Sequence, residues 1–251
     1  MTPDVAAAAA AWVYVPDDAR EVRTDEFHLV AYPLHWSTPT IATSIESERP
    51  AGELVEAILD AARGLGRDAV TIWVTGTTRP ADLAVVLSGL GAELTEHLDV
   101  LARPLADLPA LDVPSDLELR PVLDEEGVRA HQAVSVAVFG GSFPDDDAIA
   151  ASVRRLTDAA PQWVAHRDGR PIGSAGMSLV DGVARLWGGG VLEEARGTGV
   201  YRALLDVRLR TAQAAGCRLA LVKGRVETSG PILRRAGFER YGDERAYLVT
   251  R

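Results

Sequence analysis

Cysteine is nearly absent: Cys217 is the single thiol in 251 residues. That excludes an internal disulfide framework and removes any mark of an oxidising compartment, so the chain reads as cytoplasmic. Cys217 opens an apolar run and reads as a buried thiol rather than a nucleophile. No apolar run approaches the length of a membrane-spanning helix. The first eleven residues are alanine-rich, but they carry Asp4 and no basic segment. They read as a short helix, not a signal peptide. Positive charge is also scarce, with 26 Lys and Arg against 36 Asp and Glu and a net charge of −10. This argues against a nucleic-acid surface. The five histidines, at 28, 35, 97, 131 and 166, have no metal-ligand spacing, so no metal is expected. There is no Gly-x-Ser-x-Gly elbow and no Gly-x-x-x-x-Gly-Lys loop, which disfavours a serine hydrolase and a nucleotide triphosphatase.

The chain reads as two α/β units. In residues 1–106, Val22 to Tyr32 and Thr40 to Ile45 look like strands, and Ala51 to Leu65 a helix led by Pro50. Ala69 to Val74 is an apolar strand. A helix runs from Pro80 to about Leu90, and a strand ends near Ala102. Prolines 104, 109 and 114 mark a linker, placed at 107–115. In residues 116–251, Leu117 to Leu119 is a strand, and Glu125 to Val138 and Asp145 to Ala159 are helices. Trp163 to His166, Ile172 to Leu179 and Val183 to Val191 form a meander turned at Asp168-Gly169 and Asp181-Gly182. A helix to Ala215, a strand Arg218 to Val222, a short helix Pro231 to Arg235 and two final strands ending at Val249 complete it. Leu87-Ser88-Gly89-Leu90-Gly91-Ala92-Glu93 echoes Leu233-Arg234-Arg235-Ala236-Gly237-Phe238-Glu239, a sign of internal repetition.

The most informative stretch is Val191 to Leu205. A strand ending Gly188-Gly189-Gly190 is followed by Arg196-Gly197-Thr198-Gly199 and then by apolar residues at helical spacing. Glycines at a helix start leave the free amides of the first turn uncovered. With the helix dipole and Arg196 this makes an anion cradle that suits a diphosphate. Three consecutive glycines in the preceding strand mark a bulge or a close backbone approach.

This stretch resembles motif A of the GCN5-related N-acetyltransferases (GNAT), whose pattern is Arg or Gln, two residues, Gly, one residue, then Gly or Ala. Arg196 and Gly199 match, and Tyr201 departs from it. Gly237-Phe238 answers it downstream. The resemblance implies an α/β (α+β by some schemes) GNAT fold, a mixed, mostly antiparallel sheet flanked by helices. Residues 1–106 would be a smaller, degenerate GNAT-like copy lacking the cradle. It implies acetyl-CoA as co-substrate, held by Val191, Leu192, Arg196, Gly197, Thr198, Gly199, Val200, Tyr201 and Arg202. The pantetheine arm would lie beside Gly188–Gly190 where the sheet parts.

The implied reaction is transfer of an acetyl group to a primary amine of a small molecule by direct attack. The other readings are a catalytically silent acyl-CoA sensor or scaffold and a protein N-acetyltransferase. The family's usual tyrosine, four residues before the Gly of Gly-Phe, is Leu233 here. Glu227 and Ser229 are the replacement candidates for proton handling. The bland readings weigh more: Glu227 as a solvated loop carboxylate and Ser229 as a helix cap. Phe139, Phe143 and Trp187 are candidates for the acceptor pocket or for the core. Glu193 and Glu194 are expected to face away from the cradle. Tyr241 and Tyr247 read as strand core. The assembly is expected to be a monomer or homodimer, with neither nucleic acid nor membrane as partner.

Overall fold

The computed structural model describes residues 5–108 and 110–250. The first half runs α1 (Val5–Ala10), β1 (Arg20–Arg23), β2 (His28–Ala31), β3 (Thr40–Thr43), α2 (Ala51–Gly64), β4 (Ala69–Thr75), α3 (Leu83–Gly89) and β5 (Glu93–Pro104). The second runs β6 (Glu118–Pro121), α4 (Glu125–Phe139), α5 (Asp146–Arg154), β7 (Gln162–Arg167), β8 (Arg170–Val180), β9 (Val183–Val191), α6 (Val200–Ala214), β10 (Leu219–Arg225), α7 (Ser229–Arg235) and β11 (Glu239–Thr250). All strands join one eleven-stranded sheet in the order β1-β2-β3-β4-β11-β5-β10-β9-β8-β7-β6. Only β3–β4 and β9–β10 pair in parallel, and each of these pairs is bridged by a long helix, α2 or α6. This is the mixed, mostly antiparallel GNAT-like sheet.

The centre of the sheet is an exchange. β11 lies between β4 and β5, and β5 lies between β11 and β10. Each half thus leaves a slot one strand wide between its last two strands, and the last strand of the other half fills it. The cores record the same exchange. Leu101 and Leu105 of the first half lie in the core under α6, while Tyr247 and Val249 of the second lie in the core under α2.

The repeated heptapeptide has one structure in both places. Ala92 N donates to Leu87 O and Gly91 N to Ser88 O; Phe238 N donates to Leu233 O and Gly237 N to Arg234 O. Gly91 and Gly237 have φ of 79° and 84°. This double bond over a left-handed glycine ends a helix and redirects the chain, here into β5 and β11, each of 12 residues.

Several expected boundaries move. The expected strand Val22–Tyr32 is two strands, because Thr24 Oγ1 binds the backbone of Glu26 and Phe27 and turns the chain. The two expected final strands are one, since β11 absorbs two irregularities, at Arg240/Gly242 and Ala246/Tyr247, without breaking. Asp145 caps α5 rather than lying in its first turn, donated to by Ala148 N at 2.9 Å. Tyr247 is buried, but Tyr241 is exposed rather than in the core. The two Asp-Gly hairpins form as expected, both residues at positive φ, as a two-residue turn between twisted strands requires. Cys217 is buried, and burial pushes its thiol pKa up.

Candidate functional site

The mouth of α6 is built as an open helix start. Gly197 and Gly199 have φ of 74° and 86°, a region costly for residues with a Cβ. Gly199 is the N-cap and no side chain caps the helix, so the first-turn amides of Val200, Tyr201 and Arg202 meet no side-chain acceptor. Gly199 is doubly required, because a Cβ there would stand 2.6 Å from Pro114 Cγ. Arg196, Thr198 and Arg202 are exposed around the mouth. Thr198 Oγ1 donates to Ala195 O at 2.7 Å and accepts from Arg167 at 3.1 Å. Glu193 and Glu194 are exposed, the latter 3.9 Å from Arg170. The equivalent helix of the first half, α2, starts on Pro50 with Glu53 in its first turn. A missing N–H and a carboxylate leave no anion seat there.

Beside this mouth the sheet parts. β9 and β10 pair from Val183/Leu219 to Leu186/Val222 and no further, although β9 continues to Val191 and β10 to Arg225. β9 is bulged: Gly190 faces Ser174 and Trp187 faces Gly176, so Ala175 opposes both Gly188 and Gly189. Gly188 takes φ 60°. The glycines at 189 and 190 admit neighbours on opposite faces. A Cβ at Gly189 would stand 3.2 Å from Tyr201 Cε2 and from Arg208 Nη2; one at Gly190 would stand 3.0 Å from the Phe139 ring and Val138. The Tyr201 phenol lies against the Arg208 guanidinium and the Ser229 hydroxyl, and burial raises its pKa.

The helix α4 face holds the aromatic candidates. Trp187 lies flat over Gly176, its Nε1 donating to Ser178 Oγ at 3.0 Å. His131 meets it edge-on at 6.2 Å. Phe139 faces Arg225 at 5.8 Å, and Arg225 is held by Glu96 of β5, a residue of the first half. Phe143 is exposed at the far end of the loop, which leans on the first half through Ser142 N to His35 O at 3.0 Å. Glu227 is exposed in the turn after β10. Ser229 does not cap α7: it lies inside that helix, behind an N-cap at Thr228 that makes no side-chain cap. Leu233 is fully buried against Gly224. A surface hollow of about 500 Å³, lined by Ala106, Asp107, Leu108, Arg210 and Gln213, includes none of these residues. No group of His, Cys, Asp or Glu able to hold a metal occurs among the described residues.

Two buried polar residues escaped the sequence reading. Arg208 continues the buried row Val200, Leu204 at spacing of four, and His131 sits between Val128 and Val134 on the buried row of α4. A charged or titratable residue inside an apolar stripe was the available signal. Neither ring nitrogen of His131 has a partner, and burial pushes its pKa down to about 4. An unfolded histidine titrates near 6.5, so between about pH 6.5 and 4 the unfolded chain binds a proton that the folded one refuses. Stability is therefore lost as pH falls through this window. Between pH 7 and 5 the loss due to this group should be about 2 kcal/mol. Denaturant melts should show His131→Leu losing less stability than the wild type over that interval; parallel losses would refute the burial argument.

A helix start with bare amides beside a parted parallel strand pair is an arrangement that can seat an anion at the mouth of α6. Residues 132–238 match the model of the acetyltransferase (GNAT) family. Among solved structures, the chain is similar to a GCN5-related N-acetyltransferase from Kribbella flavida, at 19% identity, TM-score 0.69, over 98% of this chain and 95% of that one. It is similar to a GCN5-related N-acetyltransferase from Sphaerobacter thermophilus, at 17% identity, TM-score 0.63, over 90% and 80%. It is also similar to a tandem GNAT protein from the clavulanic acid biosynthesis pathway, at 17% identity, TM-score 0.57, over 94% and 85%. Among curated proteins none matches.

Proposed function

We propose that the chain is an acyl-CoA-dependent N-acyltransferase that moves an acetyl or related acyl group to a primary amine of a small molecule. The observation that carries this reading is the uncapped start of α6, with Gly197 and Gly199 in left-handed conformation, opening beside the gap between β9 and β10. Bare amides at the positive end of a helix favour a diphosphate, and Arg196 and Arg202 add positive charge at the rim. Val191, Leu192, Thr198, Val200 and Tyr201 complete the proposed CoA seat. Acetyl-CoA supplies a thioester already activated toward an amine. The protein must align the two partners and take up a proton. Glu227 is the proposed base, and Ser229, seated against the Tyr201 phenol, the proposed proton relay. Phe139, Phe143 and Trp187 are proposed to line the acceptor side, with the first half as one wall of the cleft. Residues 1–106, 107–115 and 116–251 are the proposed first copy, connector and CoA-binding unit.

Leu233 buried at the expected tyrosine position favours a second reading, a catalytically silent acyl-CoA sensor. Release of free thiol from acetyl-CoA with a panel of amines separates the two: turnover above background rejects silence. Peptide acceptors in the same panel test a protein N-acetyltransferase.

The seat itself is tested by Arg196→Glu with Arg202→Glu. Arg196 gives up a long bond to Val191 O and Arg202 an exposed pair with Asp112, and exposed pairs of this kind contribute little, so the fold should tolerate the double change with little loss of stability. Reversing two charges beside a diphosphate should weaken CoA binding about 30-fold, and less so at high salt. CoA affinity unchanged in calorimetry would overturn the proposed seat.

A further inference from the structure

Arg208 is 1% exposed, and its guanidinium has no carboxylate partner. Its Nε donates to Leu204 O at 2.8 Å and its Nη1 to Gly176 O at 3.4 Å; the Tyr201 phenol lies within polar reach of the guanidinium, but Nη2 makes no well-aligned hydrogen bond. The neighbouring Tyr201 phenol is neutral at ordinary pH, since its pKa is raised. Arginine keeps its charge in proteins, and a buried charge without a counter-ion is strongly unfavourable. The adjacent carboxylate on α6, Asp206, is committed to Arg210 at 2.8 Å. The free Nη2 lies 3.2 Å from where a Cβ of Gly189 would be, on the bulge of β9 where the strands part. It is well inside the helix, two turns beyond the mouth at Gly197–Gly199. An anion that completes it must therefore sit at the inner end of the gap, not at the diphosphate seat. A guanidinium with one free edge suits a carboxylate.

We propose that Arg208 receives a carboxylate at the end of the acyl chain, so that the preferred donor is a dicarboxylic acyl-CoA such as malonyl- or succinyl-CoA rather than acetyl-CoA. The inference rests on the CoA reading of the α6 mouth and names the acyl class that site takes. The face decides the source: Arg208 reaches Gly189 from α6, whereas Phe139 and the loop that meets the first half lie on the α4 side.

The test is calorimetric binding of CoA, acetyl-CoA, malonyl-CoA and succinyl-CoA to the full-length wild type, Arg208→Met and Arg208→Lys. One of the two dicarboxylic esters should bind at least about tenfold tighter than acetyl-CoA to the wild type. Arg208→Met should reduce that ratio to near one, and Arg208→Lys should keep part of it. The ligand-free Arg208→Met protein should melt no lower than the wild type, because it loses a buried cation that has no partner. Equal affinity for the acetyl and both dicarboxylic esters overturns the proposal. So does a preference that survives in Arg208→Met, or a ligand-free melting temperature lowered by more than about 5 °C, which would mark Arg208 as a structural clamp. An Arg208-dependent gain conferred by a carboxylate-bearing acceptor such as glycine, and not by the ester, also overturns it. Failure of CoA and all its esters to bind sinks the CoA reading itself. Binding of CoA without acyl discrimination sinks only the role given to Arg208.

Discussion

Residues 116–251 expressed alone will not give a folded, monodisperse protein, although they contain the whole segment matched to the GNAT family. Both partners of β11 along the sheet, β4 and β5, belong to the first half. One partner of β10 is β5, paired over seven positions from Leu219 to Arg225. Cutting the chain at the connector leaves one edge of β10 and both edges of β11 unpaired, a template for aggregation. The core under α6 also loses Leu101 and Leu105, each worth about 2–3 kcal/mol when buried. Added to the lost ladder, this is comparable to the whole stability of an ordinary domain. Co-expression of 1–115 with 116–251 should restore a soluble complex, because the exchange can form between chains. Size-exclusion chromatography with near-ultraviolet circular dichroism reads both outcomes. A monomeric 116–251 melting within a few degrees of the intact protein would refute the account of the sheet.

Gly176→Ala should be among the most damaging single substitutions in the second half. The added Cβ would stand 2.2 Å from Trp187 Cη2 and 2.5 Å or less from two further ring atoms. The ring cannot simply rotate away, since its Nε1 is tied to Ser178 Oγ and it packs T-shaped with His131. Overpacking a rigid aromatic against backbone costs about 3 kcal/mol, which lowers the melting temperature by roughly 6–12 °C in a protein of this size. Trp187→Leu in the same chain should recover most of the loss, giving a strong coupling between the two sites. A single mutant that melts within about 2 °C of the wild type shows that the indole does not rest on that glycine.

Much of the second half was legible from local chemistry. Alternation, Asp-Gly turns and the Gly197–Gly199 start to a helical stripe each fix structure over a few residues, and local rules reach that far. The exchange of β5 and β11 was not legible. A strand's pattern says which face is buried, not which neighbour it pairs with, and β5 and β11 carry equivalent patterns after equivalent helix ends. The heptapeptide repeat was the trace of that equivalence. Within the site, the mouth of α6 was legible because glycine reports backbone conformation directly. Arg208 and His131 were not, since their significance lies in the absence of partners, and that depends on the packing of β8, β9 and two helices at once. The Ser229 cap failed for a smaller reason: the helix begins at Ser229 itself, two residues before the expected Pro231.

The segment between the halves is fastened at two places around the mouth of α6, and a third fastening lies just past its end. Pro114 rests on Gly199 and Asp112 lies 3.6 Å from Arg202; beyond them Asp116 holds Arg167 at 2.7 Å, which in turn reaches Thr198. It is thus a sill as much as a tether. Its length and composition are bound to the shape of the doorway it crosses, and insertions that a free-hanging tether would absorb have no slack to enter here.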